Sequence, residues 1–256
     1  MNSTVFITGA TSGIGKATAA LLAKNNFRLI LCGRRKDRLK ELETSLGKLT
    51  DVTTLQFDVR DKDKVLEAIN NLPKEFQQID ILINNAGNAH GLDLIQEGSL
   101  DDWDAMIDIN VKGLLYVSKG ILPKMIEKNS GFIVNIGSVA GKEVYPGGNV
   151  YCASKYAVNA INKGMRMDLN KYNIRVSGIH PGMVETEFSD VRFKGDLERA
   201  KKAYQGYKAL QAEDIADIIH FVISRPYHVN IEDLIVYPTA QASATIMNKK
   251  LNEYIF

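Results

Sequence analysis

The stretch that decides the fold lies near the N-terminus and reads Thr8-Gly9-Ala10-Thr11-Ser12-Gly13-Ile14-Gly15. An apolar run, Val5-Phe6-Ile7, precedes it, and a helix-period segment from Gly15 to Asn25 follows it. Glycines let the backbone turn tightly and approach a pyrophosphate, while the helix N-terminus offers free N–H groups to the phosphates. A glycine-rich turn alone is also an ordinary tight turn, but the order strand, turn, helix favours a dinucleotide site. The candidate cofactor-binding residues here are Gly9, Thr11, Ser12, Gly13, Ile14 and Gly15.

Short apolar runs rich in branched residues recur along the chain and predict strands that are buried on both faces of a parallel sheet. Helix-period segments alternate with them, such as Asp37 to Leu46 and Asp61 to Asn71, where Asp61 is the predicted N-cap. This alternation predicts one Rossmann-type α/β domain over residues 1–256, with a doubly wound parallel sheet of about seven strands and helices on both faces. The predicted strands after the first are Leu29–Leu31, Thr54–Phe57, Ile81–Ile83, Phe132–Ile136, Ile174–Ile179 and Asp233–Tyr237.

Composition excludes several classes of protein. The 256 residues are 45% hydrophobic and 24% charged, with a formal net charge of +2, and no basic tract indicates a nucleic-acid partner. No apolar stretch approaches the roughly 18 residues that a membrane span needs. Two cysteines and no targeting pattern favour a cytoplasmic protein. The four histidines have no ligand spacing, so we expect no metal site.

The end of the second predicted strand, Cys32-Gly33-Arg34-Arg35, carries the signal for cofactor choice. Folds that prefer NAD usually place an acid near this tip to bind the ribose hydroxyls. Two guanidiniums instead match the 2′-phosphate of NADP(H). The alternative is a solvated arginine pair at a helix start. We predict NADP(H), bound by Arg34 and Arg35.

Two further strand ends carry small or polar residues suited to the adenosine half of the cofactor. Asp58 and Val59 follow the third strand, where they could contact adenine. Asn85, Ala86 and Gly87 follow the fourth, and their small size would let the backbone lie against the ribose. We predict that all five line the cofactor site.

The candidate catalytic group is centred on Tyr151 and Lys155. These residues stand at i and i+4, so they share one helix face, and Ser138 follows a strand 13 residues before Tyr151. A nearby ammonium is expected to lower the pKa of the phenol, which could then exchange a proton with a carbonyl or alcohol oxygen. Ser138 could hydrogen-bond the same oxygen, and Asn110 could hold a water in a proton relay to Lys155. The alternative, an exposed Tyr–Lys pair on a helix, is disfavoured by Ser138 and the glycine turn.

These motifs together resemble the short-chain dehydrogenase/reductase family over essentially the whole chain. The resemblance implies an alcohol–carbonyl oxidoreductase with an Asn-Ser-Tyr-Lys tetrad, which here is Asn110, Ser138, Tyr151 and Lys155. It also implies that Lys155 binds the nicotinamide ribose and that Thr186 reaches the carboxamide. The cofactor-binding residues that it adds are Pro181, Gly182, Val184 and Thr186.

Three segments are similar to the branch of this family that acts on 3-hydroxy acids: Gly147–Tyr151, Thr186–Asp196 and Val229–Ile231. This likeness implies small substrates such as serine, allo-threonine, or 3-hydroxypropionate with malonic semialdehyde. It also implies a homotetramer paired through the helices near residues 101–125 and 153–169, and the apolar stretch Ile121 to Met125 favours such an interface. The alternatives are a broader carbonyl or diketone reductase, and an inactive NADPH-binding regulatory protein.

The segment after Pro181-Gly182 follows a strand end on the ligand side of the sheet, so we expect a substrate lid at residues 183–210. A C-terminal extension should follow residue 238. The lid contains Arg192, which we predict to bind the carboxylate of a small acid through its bidentate fork. Lys194 is the alternative anchor, and a solvent-facing Arg192 is the other possibility.

Overall fold

A seven-stranded, wholly parallel sheet forms the centre of the computed structural model, which describes residues 3–249. The spatial order is β3-β2-β1-β4-β5-β6-β9, so the winding reverses between β1 and β4. The predicted strand count and doubly wound topology are therefore confirmed. The strands of this sheet are β1 (Thr4–Thr8), β2 (Arg28–Gly33), β3 (Val52–Gln56), β4 (Ile81–Asn84), β5 (Gly131–Ile136), β6 (Ile174–Pro181) and β9 (Asp233–Val236).

Helices cover both faces of the sheet. Asp61 caps its helix as predicted, because its carboxylate accepts a 3.1 Å hydrogen bond from the backbone N–H of Lys64. A π-helical turn, Asp108–Gly113, joins the fourth helix to the fifth. The helices are α1 (Gly13–Lys24), α2 (Lys36–Leu46), α3 (Lys62–Asn70), α4 (Leu100–Ile107), α5 (Leu114–Lys128), α6 (Asn149–Leu169), α7 (Phe188–Arg192), α8 (Leu197–Lys202) and α9 (Ala212–Ile223).

Two buried apolar clusters lie on opposite faces of the sheet. Successive side chains of a strand point to opposite faces, so Val5 and Ile7 enter one cluster and Phe6 enters the other. The first cluster includes residues of α1 and α9, and the second includes residues of α3 and α5. Burial on both faces explains why the five inner strands are continuous apolar runs rather than alternating ones. The prediction is wrong for β3 and β9, which are only partly buried because they form the two edges of the sheet.

One expectation about α5 is wrong. Ile121 and Met125 are fully buried in the second cluster, so they pack inside the subunit and are not available to a partner. Exposed apolar side chains on α5 and α6 lie at other positions, which include Leu115 and Met167, with 41% and 67% exposure.

A small second sheet, which no sequence pattern predicted, lies after β6. It pairs β7 (Val184–Glu185) with β8 (Leu210–Gln211), the two ends of the segment expected to form a lid. α7 and α8 lie between them. After residue 238 the chain forms a bridge between Gln241 and Met247, and the rest of the expected extension, residues 250–256, lies outside the described residues. Within residues 3–249, no helix combines the length and the apolar character needed to cross a membrane.

Candidate active site

A cavity of about 650 Å³ opens at the carboxyl ends of the parallel strands, beside the point where the winding reverses. Most of the residues predicted for the site line it. Gly15 and Asn110 do not line it. The predicted residues that line the cavity are Gly9, Thr11, Ser12, Gly13, Ile14, Arg34, Arg35, Asp58, Val59, Asn85, Ala86, Gly87, Ser138, Tyr151, Lys155, Pro181, Gly182, Val184, Thr186 and Arg192.

The glycine turn is shaped by close backbone contacts. Gly9 has a φ of +65°, and a Cβ there would lie 2.9 Å from the amide nitrogen of Asn85. That amide donates to the carbonyl oxygens of Thr8 at 2.9 Å and Gly9 at 3.2 Å, which ties the turn to the end of β4. A Cβ on Gly15 would lie 2.4 Å from the Gly9 oxygen, so Gly15 lets α1 approach the turn from below. This bare backbone at the start of α1 fits a pyrophosphate.

The end of β2 carries the two predicted arginines in different settings. Arg34 is 60% exposed and lies 3.8 Å from the carboxylate of Asp58. Arg35 donates to the hydroxyls of Thr11 at 2.9 Å and Ser12 at 2.7 Å, and its Nη1 donates to Glu187 at 2.8 Å. A cationic group therefore stands beside the glycine turn, which fits a cofactor that carries an additional phosphate.

Two charged residues at this end were missed by sequence reasoning. Arg38, on the first turn of α2, donates through Nη1 to the Glu187 carboxylate at 2.6 and 2.9 Å. Glu187 follows Thr186 and comes from the opposite wall of the cavity. Burial acts to raise the pKa of Glu187, but hydrogen bonds and charge from Arg35 and Arg38 together hold it below its usual value. Glu187 is therefore a carboxylate at neutral pH.

Asp58 and Val59 shape the far end of the cavity. Asp58 accepts hydrogen bonds from the Arg60 side chain at 2.7 to 3.1 Å. Burial opposes ionisation of Asp58, but these bonds and the nearby guanidiniums hold the pKa of its carboxyl below the usual value. Val59 packs against the π-helical turn, because a Cβ on Gly113 would lie 2.7 Å from its methyl carbon.

The catalytic candidates come from two neighbouring elements, β5 and α6. Tyr151 and Lys155 lie one turn apart near the start of α6, and both are buried. Lys155 Nζ donates a 3.0 Å hydrogen bond to the carbonyl oxygen of Ile136, two residues before Ser138. Gly87 leaves room for this ammonium, since a Cβ there would lie 3.4 Å from Nζ. The structure thus brings Ser138, Tyr151 and Lys155 to one side of the cavity.

The expected direction of the Tyr151 pKa is wrong for the protein alone. Burial raises the pKa of the phenol, and the charge of the neighbouring Tyr145 adds to this, while Ser138 and Arg192 act in the opposite direction. Burial also lowers the pKa of Lys155 to about 8. The reason is physical: both groups lose hydration in the same enclosed wall, and desolvation disfavours the charged form of each.

Asn110 lies in the π-helical turn and is fully packed. Its amide nitrogen donates to the Asn88 carbonyl oxygen at 2.8 Å and to the Ser154 hydroxyl at 2.9 Å, and its oxygen accepts from the Asn88 N–H at 2.9 Å. The same oxygen would lie 3.0 Å from a Cβ on Gly87. π-helical turns are frequent at functional sites. Here the turn holds Asn110 between the β4 end and α6.

The segment after β6 closes the cavity opposite the glycine turn. The Gly182 N–H donates to the Val236 carbonyl oxygen at 2.7 Å, and a Cβ on Gly182 would lie 2.3 Å from the Gln241 side-chain oxygen. Thr186 faces the glycine turn, because a Cβ on Gly13 would lie 3.3 Å from the Thr186 side chain. Pro181 and Val184 complete this wall.

Arg192 lies against the rings of the catalytic wall. Its guanidinium is 5.7 Å from the Tyr151 ring centre and 5.6 Å from that of Tyr145. Nε donates to the Gly91 carbonyl oxygen at 3.1 Å, and among the described residues Nη2 is buried with no hydrogen-bond partner. Tyr145 was missed, and its Tyr-Pro-Gly-Gly setting shows no catalytic pattern. Lys194 does not line the cavity and instead pairs with Asp102 at 2.8 Å.

Comparison with known proteins agrees with this geometry. A family model described as short chain dehydrogenase matches residues 3–196. NADP-dependent 3-hydroxy acid dehydrogenase YdfG of Salmonella typhi is 44% identical over 241 residues, which are 94% of this chain and 96% of that protein. Sulfoacetaldehyde reductase 2 of Chromohalobacter salexigens is 45% identical over 243 residues, again 94% and 96% of the two chains.

A solved structure agrees in fold as well as sequence. The closed form of serine dehydrogenase complexed with NADP+ superimposes with a TM-score of 0.91 at 43% identity, covering 95% of this chain and 98% of that one. One assignment follows from the family match over most of the chain, the similar relatives along its length and the shared parallel sheet. The chain belongs to the short-chain dehydrogenase family.

Proposed function

We propose that this protein is an NADP(H)-dependent oxidoreductase that interconverts an alcohol and a carbonyl on a small acid, most simply a 3-hydroxy acid. The observation that carries this proposal is the position of Arg192. Its buried, unpartnered Nη2 belongs to a guanidinium 5.7 Å from the ring of Tyr151, in a part of the cavity that also contains Ser138.

The cofactor assignment rests on the chain's own residues and on its relatives. Bare backbone at Gly9 and Gly13 suits the pyrophosphate, and Arg34 and Arg35 suit the 2′-phosphate. Asp58, Val59, Asn85, Ala86 and Gly87 would line the adenosine half. Pro181, Gly182, Val184 and Thr186 would line the nicotinamide half. The names of the YdfG relative and of the solved serine dehydrogenase both include NADP.

The proposed proton chemistry uses the tetrad. The nicotinamide, when bound, supplies or accepts the hydride at the reacting carbon. Tyr151 then donates a proton to the carbonyl oxygen in reduction, or removes one from the alcohol in oxidation. Ser138 hydrogen-bonds the same oxygen. Lys155 contributes positive charge beside the phenolate and the nicotinamide ribose. Asn110 bonds to Asn88 and to Ser154 of α6, so it holds the loop after β4 and α6 in register. A water held by Asn110 in a proton relay to Lys155 stays part of the proposal.

The proposed substrate class follows from the anion-binding side chain. In a 3-hydroxy acid and in sulfoacetaldehyde, one carbon separates the reacting carbon from the anionic group. A guanidinium fork binds a carboxylate or a sulfonate in a defined direction. This contact orients a small substrate that offers the protein few other atoms to contact. Arg192 would do so from the segment 183–210, which we propose acts as the lid. Lys194 is less suitable because it is already paired with Asp102.

The test is a substrate panel on the purified protein with NADP+ and NADPH. It contains serine, allo-threonine, 3-hydroxypropionate and malonic semialdehyde, with sulfoacetaldehyde and neutral diketones alongside. The proposal predicts turnover of at least one anionic substrate with kcat/KM well above that of every neutral one. Preference for neutral diketones would favour the broader reductase. NADPH binding with no turnover of any substrate would favour a regulatory protein.

The proposed assembly is a homotetramer. The proposed location is the cytoplasm, as expected from the sequence. Exposed Leu115 on α5 and Met167 on α6 give those helices apolar surface that a partner subunit would cover.

A further inference from the structure

The Glu187 carboxylate is held between two arginines on the opposite side of the cofactor cleft. Oε2 accepts from Arg35 Nη1 at 2.8 Å, while Oε1 and Oε2 accept from Arg38 Nη1 at 2.6 and 2.9 Å. The pairs are distant in sequence, 152 and 149 residues apart. They join the beginning of the segment 183–210 to the end of β2.

Arg35 is the guanidinium that the proposed function assigns to the 2′-phosphate. Its Nε and Nη2 already donate to the hydroxyls of Thr11 and Ser12 at 2.7 to 3.1 Å. Its Nη1 donates to Glu187. The edge of Arg35 that remains for an outside anion is therefore taken by a carboxylate of the same chain. A phosphate and a carboxylate cannot both approach this edge without strong repulsion, because like charges a few ångströms apart are unfavourable.

We propose that Glu187 is an intramolecular competitor of the cofactor's 2′-phosphate, and that it sets how strongly the protein prefers NADP(H) over NAD(H). The proposal rests on the role of Arg35 in the proposed function. When the phosphate binds Arg35, the Glu187 carboxylate stays on Arg38, which reaches both of its oxygens. Arg38 is thus a positioning residue that draws Glu187 away from the phosphate site.

The expected effect is modest because the groups are half-exposed. The side chains of Arg35, Arg38 and Glu187 are 42%, 42% and 43% exposed. Ion pairs at such exposure change an equilibrium constant by at most about fivefold. NADH has no 2′-phosphate, so its affinity should not depend on where the carboxylate lies. The signature of competition is therefore a small change that appears with NADPH and not with NADH.

Calorimetric titration of the full chain with NADPH and with NADH tests this proposal without any turnover. Glu187→Gln should bind NADPH roughly two- to fivefold more tightly and leave NADH unchanged. Arg38→Met should weaken NADPH binding by a similar factor, because Glu187 then rests on Arg35 alone. In the double variant Glu187→Gln/Arg38→Met, the weakening should disappear. Glu185→Gln is the matched control, since its carboxylate pairs with Gln211 at 3.1 Å and not with these arginines.

Other outcomes would overturn the proposal. If Glu187→Gln weakens the binding of NADPH and NADH equally, the ion pairs of Glu187 with Arg35 and Arg38 serve to hold the two sides of the cleft together. If Glu187→Gln leaves the NADPH affinity unchanged, the ion pairs of Glu187 are surface ion pairs with no effect on cofactor binding. The variant Arg35→Ala distinguishes failure of the competition proposal from failure of the cofactor assignment. If Arg35→Ala weakens NADPH but Glu187→Gln changes nothing, only the competition is wrong. If Arg35→Ala also changes nothing, Arg35 does not bind the phosphate, and both the competition and the assignment of Arg35 to the cofactor are wrong.

Discussion

Lys155 Nζ donates a 3.0 Å hydrogen bond to the carbonyl oxygen of Ile136, and this contact holds the start of α6 against the end of β5. Farther along α6, the side chain of Asn135 donates a 2.9 Å hydrogen bond to Asn162. Tyr151 precedes Lys155 by one helical turn, and Ser138 follows Ile136 by two residues. The Lys155 contact therefore helps to set the relative positions of the two hydroxyls that would bind the reacting oxygen. It also explains how an ammonium can be buried here, because a backbone carbonyl accepts one of its protons.

Replacement of Tyr151 by Phe tests the assignment of the proton donor. We expect kcat to fall at least about 100-fold, since general acid–base catalysis is typically worth that factor or more. NADPH should bind as before, because the ring and its packing remain. Tyr156→Phe is the control on the same helix, where an exposed hydroxyl donates to the Lys142 carbonyl oxygen. Near-normal turnover of the Tyr151 variant would refute the assignment.

Replacement of both Arg34 and Arg35 by Ala tests the choice of cofactor. Loss of charge-assisted contacts to a phosphate should cost about 1.5–3 kcal/mol, or roughly 10- to 150-fold in KM for NADPH. KM for NADH should change far less. Steady-state kinetics with both cofactors gives the comparison. A wild-type protein that already prefers NADH would contradict the interpretation of this strand end.

The sequence predicted the elements that depend on local pattern. The five inner strands are apolar because both of their faces are buried, and the glycine turn is visible because its backbone needs residues without side chains. Tyr151 and Lys155 share a face because of the helical repeat. Each of these features is determined by residues a few positions apart.

Features that depend on contact between distant segments were missed or predicted wrongly. Glu187 meets Arg35 across 152 residues, and no local pattern predicts such a pair. The two-residue strands β7 and β8 are too short to show a periodicity. The pKa of Tyr151 depends on how completely the folded wall excludes water, which a Tyr-x-x-x-Lys spacing does not report. Ile121 and Met125 are apolar because they pack in the core of the subunit, and composition alone does not distinguish core residues from interface residues.

Stability should fall in acid because of His180, which is fully buried at the end of β6 with Nε2 2.8 Å from Asp233. Burial, with the positive charges of Lys142 and Lys155, lowers the pKa of His180 to about 4, although Asp233 and a backbone hydrogen bond at Ser138 act to raise it. The unfolded value is about 6.5, so the unfolded chain binds more protons between the two values. The contribution of this group is complete above pH ~6.5 and is lost as pH falls toward 4.

Urea unfolding at pH 7.5 and pH 5 measures this effect. The free energy of unfolding should drop by up to about 1.4 kcal/mol per pH unit from this group. In His180→Gln the difference between the two pH values should shrink, whereas the exposed His228→Gln should keep it. An unchanged pH difference in His180→Gln would mean that other groups cause the acid sensitivity.

Light scattering tests the proposed tetramer. The particle mass should be about four times the 28.4 kDa of one chain. Replacement of exposed Leu115 or Met167 by Asp should yield smaller particles, because a charge would be buried at the interface. A monodisperse monomer of the wild-type protein at micromolar concentration would contradict the proposal.

Kinetics of Arg192→Met on two kinds of substrate tests the central claim most directly, that the protein acts on small acids held by this guanidinium. The pair is the best acid of the panel and a neutral diketone. We expect kcat/KM for the acid to fall at least about tenfold, since a hydrogen bond to a charged group is worth about 1.5–3 kcal/mol, and kcat/KM for the diketone to stay nearly unchanged. Lys194→Met, with its cation paired to Asp102, should leave both substrates unaffected. Equal loss on both substrates, or no loss on either, would contradict the account.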